Sequence, residues 1–71
     1  MDNQVIGYNI RLWRKQKQLT QAQLADIASI SVQAIKKIES GQTMPRSNTL
    51  RSISKALNVK QDKIASKGVK S

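Results

Sequence analysis

The 71-residue sequence contains no cysteine and no histidine. A disulfide framework and a thiolate metal site are therefore excluded, and the commonest metal ligand and the commonest general acid or base are also missing. We expect neither a metal site nor a cofactor. The acidic residues are scattered along the chain and suggest no paired carboxylates, so an enzyme is the least expected class of protein.

Acidic residues are also scarce. Four Asp and Glu residues stand against thirteen Lys and Arg residues, which gives a formal net charge of +9. So large a charge on so small a surface opposes folding through self-repulsion, and a polyanionic partner relieves that repulsion. Nucleic acid and anionic membrane surfaces are the usual partners of such a protein.

Long apolar runs are absent as well. No stretch approaches the roughly 18 residues that a membrane-spanning helix needs. The segment Met1–Gln4 lacks the basic start and apolar stretch of a signal peptide. The apolar stripes are narrow and are needed for the core, which disfavours a helix lying on a membrane surface. We expect a cytoplasmic protein with no membrane partner.

The sequence contains only three glycines and one proline. The spacing of its apolar residues favours helices over strands. The length allows one small domain. We predict an all-α domain over residues 1–66, followed by a basic flexible tail over residues 67–71. Four or five helices are predicted, at about residues 5–17, 20–28, 31–39, 47–57 and 61–65.

N-capping residues mark the predicted helix starts. Thr20 is followed three residues later by Gln23, which is the pattern of a capping box. Ser31 and Ser47 precede the apolar stripes of the third and fourth helices, so we expect each of them to cap the helix that follows.

Residues 20–39 are the most informative segment. Two short helices joined by so tight a turn cannot lie antiparallel, so they must cross steeply. Small residues at the crossing (Ala25, Ala28 and Ala34) allow the backbones to approach. This is what a helix-turn-helix requires, and in that motif the second helix projects into the DNA major groove.

The sequence Leu19-Thr20-Gln21, then Leu24-Ala25, then Ile38-Glu39 and Gly41, is a specific arrangement. It resembles the Cro/CI-type helix-turn-helix proteins of the XRE family, over roughly residues 5–65. The resemblance implies a compact lambda-repressor-like domain of Cro size. It also implies a nucleoid-associated, sequence-specific transcriptional regulator, expected to be a repressor. Such a regulator binds double-stranded operator DNA as a homodimer and needs no small-molecule ligand.

The resemblance also implies site residues on the third helix, residues 31–39, and around it. Base contacts are expected from Val32, Gln33 and Lys37. Phosphate contacts are expected from Gln21, Ser31, Lys36, Thr43 and Arg46. The chemistry agrees with these roles, because a glutamine amide pairs bidentately with adenine and a helix N-terminus attracts phosphate. Val32, Gln33, Lys36 and Lys37 are expected to face solvent.

Glu39 lies near a helix C-terminus, where the helix dipole disfavours a negative charge. The family pattern pairs it with Arg14, and we expect a structural salt bridge that fixes the angle of the third helix.

One departure from the family is Ser29, which stands where glycine at positive φ is common. A second is Lys63, which stands where some relatives carry an aromatic residue near the dimer contact.

Two other functions stay open. The first is a protein-interaction module, such as an antitoxin or anti-repressor, that uses the helix-turn-helix surface to bind a protein. The second is RNA binding, which usually stacks bases on exposed aromatic residues. The only two aromatic residues, Tyr8 and Trp13, are expected to pack inward, which disfavours that function.

Overall fold

The computed structural model describes residues 3–65, and these form five α-helices and no strand. The all-α fold with four or five helices is therefore confirmed. The predicted tail, residues 67–71, lies outside the described residues. The helices are α1 (Asn3–Gln16), α2 (Gln21–Ala28), α3 (Val32–Glu39), α4 (Ser47–Leu57) and α5 (Gln61–Ala65).

The core is built from aliphatic side chains that recur at helical spacing. Helix α1 packs against α3, α4 and α5, while α2 packs against α3 and α4. Removing this apolar surface from water is the main force that holds the short helices together, because helices of this length are marginal alone. The buried apolar residues are Ile6, Ile10, Leu24, Ala25, Ala28, Ile35, Ile38, Ile53, Leu57 and Ile64.

Two of the three predicted caps are confirmed. The Thr20 hydroxyl accepts a hydrogen bond from the Gln23 backbone N–H at 3.0 Å, and the Gln23 side chain accepts one from the Thr20 N–H at 2.8 Å. Ser31 Oγ accepts from the Ala34 N–H at 3.1 Å. The prediction for Ser47 is wrong. Arg46 holds the extended conformation of an N-cap and makes no side-chain cap bond, while Ser47 is already helical.

Three helices end in the same way, on a residue other than glycine in the left-handed region. Gln18 and Ser29 have φ of 61° and Asn58 has φ of 60°. After α2, the Ile30 N–H donates to the Ala25 carbonyl at 3.0 Å and the Ser29 N–H to the Asp26 carbonyl at 3.2 Å. This pair of bonds satisfies carbonyls at the helix end. The expectation of a positive φ at Ser29 is thus confirmed.

Gly7 sets the distance between α1 and α3. A Cβ at this position would collide with the carbonyl oxygen of Ile38 and would lie 2.9 Å from that of Glu39. Only a residue without a side chain therefore lets α1 rest directly on the end of α3.

The two aromatic residues have different environments. Trp13 is half-buried and packs against the core. Tyr8 is 59% exposed, so the expectation that it packs inward is wrong. None of the described helices is both long and apolar enough to cross a membrane.

Candidate nucleic-acid interface

Helix α3 presents its polar side to solvent because its apolar side is held by the core. Ile35 and Ile38 are buried, whereas Gln33, Lys36 and Lys37 are exposed. The short turn after α2 and the buried Ala25 and Ala28 bring α2 against α3. Together these two helices have the arrangement of a helix-turn-helix.

One open cleft lies between α3 and the loop before α4, and we call it the loop cleft. Gln33 and Lys37, one helical turn apart, line it. The predicted site residues Ser31, Thr43 and Arg46 line it as well. The structure therefore brings five of the predicted DNA contacts around one surface. The half-exposed Met44 also lines the loop cleft and was not predicted from the sequence.

Two predicted contacts on α3 lie apart from the loop cleft. Lys36 is exposed but does not line the cleft. Val32 is half-buried and packs against the hydrophobic core. The expectation that Val32 faces solvent is therefore wrong in part, because its side chain is partly buried against the core.

Arg14 and Glu39 form a bidentate ion pair between α1 and α3. Arg14 Nε lies 2.6 Å from Glu39 Oε2, and Arg14 Nη2 lies 3.1 Å from Glu39 Oε1. The Nη1 atom donates to the Leu19 carbonyl at 2.9 Å. The two side chains are 11% and 5% exposed. The pair thus links α1 both to the end of α3 and to the connection before α2.

A second cleft surrounds this ion pair, and we call it the helix-one cleft. Arg11 and Lys15 of α1 and Gln21 at the start of α2 line it together with Arg14 and Glu39. The Gln21 side chain donates from Nε2 to Glu39 Oε1 at 3.1 Å. The sequence pattern did not predict this bond, and it did not single out Arg11 and Lys15, which lie four residues apart on α1.

Comparisons with known proteins agree with this geometry. The family model HTH_3, described as helix-turn-helix, matches residues 10–64. The chain belongs to the helix-turn-helix family. The resemblance to Cro/CI-type (XRE family) proteins is thereby confirmed. No curated protein sequence matches this helix-turn-helix protein.

Solved structures with the same fold include the DNA-binding domain of the P22 c2 repressor, residues 1–76. It is 35% identical, with a TM-score of 0.85 over 96% of this chain and 88% of that one. The P22 c2 repressor in complex with synthetic operator 9T is 34% identical, with a TM-score of 0.80 over 86% and 92%. The restriction-modification controller C.AhdI from Aeromonas hydrophila is 21% identical, with a TM-score of 0.85 over 87% and 94%, and shows the fold alone.

The lambda-repressor-like fold expected from the sequence is confirmed by these neighbours. This helix-turn-helix protein is a DNA-binding transcriptional regulator.

Proposed function

We propose that the protein is a sequence-specific repressor that reads the major groove of operator DNA with α3. The observation that carries the proposal is the exposure of Gln33 and Lys37 on one side of α3, next to Arg46 in the loop cleft. A helix in the major groove needs hydrogen-bonding groups toward the base edges and cations toward the phosphates. Both are present here.

Base contacts are proposed for three residues of α3. Gln33 pairs bidentately with adenine N6 and N7. Lys37, one turn further along, reaches guanine O6 and N7 or a flanking phosphate. Val32 keeps part of its side chain exposed, and that part touches a thymine methyl group. Because Val32 also packs against the core, its position is held and it can reject a base that leaves no room for it.

Phosphate contacts are proposed for polar groups around α3. The Ser31 hydroxyl accepts the cap bond from Ala34, so its own proton is free to be donated to a phosphate. Gln21 uses one amide proton on Glu39 and retains the second. The exposed side chains Lys36, Thr43 and Arg46 complete the proposed set.

The protein is proposed to act as a homodimer on DNA, with half-sites about 34 Å apart as for other helix-turn-helix dimers. A small domain bound over a promoter blocks polymerase without further machinery, which favours repression over activation. This role needs no catalysis, no cofactor, no small-molecule ligand and no membrane. It places the protein in the cytoplasm, on the nucleoid.

Selection of duplexes from a random library tests the base-reading role. The wild-type protein is expected to enrich one operator-like sequence. Gln33→Ala is expected to relax one position of each half-site, at a cost of about 1–3 kcal/mol, and to leave the other positions unchanged. Gln61→Ala, the same chemical change at an exposed site on α5, is the matched control. Identical preferences for Gln33→Ala and wild type would contradict the assignment.

A salt titration separates DNA binding from a protein-interaction module. For about six phosphate contacts, the logarithm of the binding constant for duplex DNA should fall with the logarithm of salt concentration at a slope of about −5. Binding of duplex DNA that is insensitive to salt would contradict the proposed function.

A further inference from the structure

Helix α1 carries a second apolar stripe on the side that faces away from the core. Val5, Tyr8 and Leu12 follow one another at steps of three and four residues. Tyr8 and Leu12 are 59% and 47% exposed, and Val5 is partly exposed. Tyr8 and Leu12 each come two residues after a buried isoleucine, Ile6 or Ile10, and so lie about 200° around the helix from it. The stripe therefore contributes little to the core of this chain.

The spacing of this stripe is that of a seam between paired helices. Steps of three and four residues are the a and d positions of a heptad, whose side chains insert between those of a facing helix. Within residues 3–65 the other large apolar side chains that are exposed are Ile27 and Met44. Met44 lines the loop cleft, and Ile27 has no such companion on α2. Single exposed apolar residues are ordinary on protein surfaces, whereas a stripe at this spacing indicates a surface for another helix.

A row of cations runs beside the stripe. Arg11 follows Tyr8 and Lys15 follows Leu12 by three residues, which places the row about 60° around α1 from the stripe. Both cations are exposed, and within residues 3–65 neither has an ion-pair partner. Helix α1 contains no acidic residue that could neutralise them. We call this surface the outer face of α1, and its residues are Val5, Tyr8, Arg11, Leu12 and Lys15.

The charge of the outer face decides what can cover it. A second copy of this chain is a poor partner, because the carboxylates within residues 3–65 are only Asp26, Glu39 and Asp62. Glu39 is already held by Arg14, and the other two lie on different helices, α2 and α5, so none of the described helices presents a row of carboxylates. A lipid surface would need an apolar face broader than one stripe. A helix with an apolar stripe beside a row of carboxylates matches both rows.

We propose that the outer face of α1 binds an acidic amphipathic helix of a second protein. The apolar side chains of that helix pack on Tyr8 and Leu12, and its carboxylates pair with Arg11 and Lys15. The methylene stems of the two cations cover further apolar surface beside the stripe. Burial of apolar surface supplies the affinity, and the two charged rows select the partner and its orientation.

Such a partner also acts on DNA binding. Arg11 and Lys15 line the helix-one cleft together with Glu39 at the end of α3, so the bound carboxylates lie beside the helix that reads DNA in the proposed function. Negative charge at that place repels the phosphates of a duplex. The acidic helix therefore competes with DNA. This step rests on the proposed function, whereas the docking of the helix on α1 does not.

The probe for the outer face is a labelled synthetic peptide of about three heptads, with leucine at a and d and glutamate at e and g. Glutamates on both flanks repel those of a second peptide, which opposes pairing of the peptide with itself. Fluorescence anisotropy measures its binding to the full chain. A peptide with lysine in place of every glutamate is the control. We expect the glutamate peptide to bind and the lysine peptide not to bind.

A matched pair of variants tests the apolar stripe. Leu12→Ser should weaken binding of the glutamate peptide about five- to tenfold, because an apolar side chain no longer leaves water when the peptide binds. Ile27→Ser, the same kind of change at a similarly exposed residue of α2, should bind as the wild-type protein does. Thermal unfolding verifies that both variants are folded, as their exposed positions predict.

A second matched pair tests the cations. Arg11→Gln with Lys15→Gln should weaken binding about three- to tenfold and reduce its dependence on salt. Lys55→Gln with Lys60→Gln removes the same charge from exposed positions elsewhere and should change binding by less than about twofold, because salt screens charges that are distant from the peptide. Equal losses within either matched pair would overturn the inference, since the peptide would then be held only by the overall charge of the protein. Failure of the glutamate peptide to bind would overturn it as well.

Competition with DNA separates this inference from the proposed function. The glutamate peptide should release the wild-type protein from a duplex that the protein has selected, and Leu12→Ser should need more peptide for the same release. Peptide binding on the outer face without release of DNA would overturn the competition step. Peptide binding by a protein that selects no duplex would defeat the proposed function and leave the docking surface standing. Sequence-selective DNA binding without peptide binding would defeat the docking surface alone.

Discussion

Gln21 Nε2 donates a hydrogen bond to Glu39 Oε1 at 3.1 Å, which ties the first residue of α2 to the last residue of α3. The same carboxylate is held by the Arg14 guanidinium of α1. One side chain at the end of α3 therefore joins three helices. The bond also fixes the orientation of the Gln21 amide in the free protein, which would reduce the entropy lost in the proposed phosphate contact.

Replacing Gln21 should weaken binding to every DNA sequence alike. In the proposed interface Gln21→Ala removes a donor from a phosphate, and a hydrogen bond to a charged group contributes about 1.5–3 kcal/mol. We expect a loss of binding free energy in this range both for a duplex selected by the wild-type protein and for a mixed-sequence duplex. The ratio of the two binding constants should stay unchanged. Competition binding with Gln61→Ala as the control measures both quantities. A changed base preference would show that Gln21 reads sequence instead.

Breaking the ion pair should destabilise the fold. Glu39→Ala leaves the Arg14 guanidinium, only 11% exposed, without its counter-ion, and loss of one partner of a buried pair costs about 3–5 kcal/mol. We expect the lower end of that range, because some solvent reaches Arg14. Denaturant unfolding measures this loss in the free energy of unfolding.

Replacing both partners by apolar residues, as in Arg14→Met with Glu39→Leu, removes the stranded charge. This double variant should recover part of the stability that Glu39→Ala loses. A cost below about 1 kcal/mol for Glu39→Ala would mean that the pair behaves as an ordinary surface pair.

Gly7→Ala should destabilise the protein although alanine is the better helix former. Alanine gains about 1 kcal/mol over glycine in a helix. The new Cβ, however, meets backbone carbonyls of Ile38 and Glu39, which cannot move without shifting α3, and such overpacking costs about 1–3 kcal/mol. The free energy of unfolding should fall by about 1 kcal/mol net. Gln16→Ala, at an exposed position of the same helix, serves as the control. A Gly7→Ala protein that is more stable than wild type would contradict the close contact between α1 and the end of α3.

Ser29→Gly should stabilise the protein. Ser29 has φ of 61°, a conformation that costs a residue with a Cβ about 1–2 kcal/mol and costs glycine nothing. Part of this gain is offset because glycine is more flexible in the unfolded chain, so we expect about 0.5–1 kcal/mol. Ser29→Ala keeps the Cβ and should show no gain. Equal melting temperatures for the glycine and alanine variants would rule out strain at this position.

Features that depend on neighbours in sequence were predicted well. The capping box of Thr20 and the cap of Ser31 follow from side-chain chemistry within three residues. The helical periodicity placed Ile35 and Ile38 in the core. The same periodicity argues for the exposure of Tyr8, which lies two residues and thus about 200° around the helix from the buried Ile6. The expectation that Tyr8 packs inward did not take this position into account.

Features that depend on how helices meet were not predictable. The bond between Gln21 and Glu39 joins residues eighteen positions apart, and it exists only because the start of α2 lies beside the end of α3. The prediction that Ser47 caps α4 failed for a different reason. The chain enters α4 one residue earlier than expected, and this shift alone moves the cap to Arg46, whose side chain cannot act as one. Nothing in the local sequence distinguishes these two registers.

The shielding of Arg14 and Glu39 has a practical consequence. Because little water reaches the gap between their charges, dissolved ions screen this pair far less than they screen an exposed one. Raising the ionic strength should therefore elute the protein from a polyanionic resin while α1, α2 and α3 stay joined. The eluted molecule should be ready to rebind as soon as the buffer is diluted, with no refolding step.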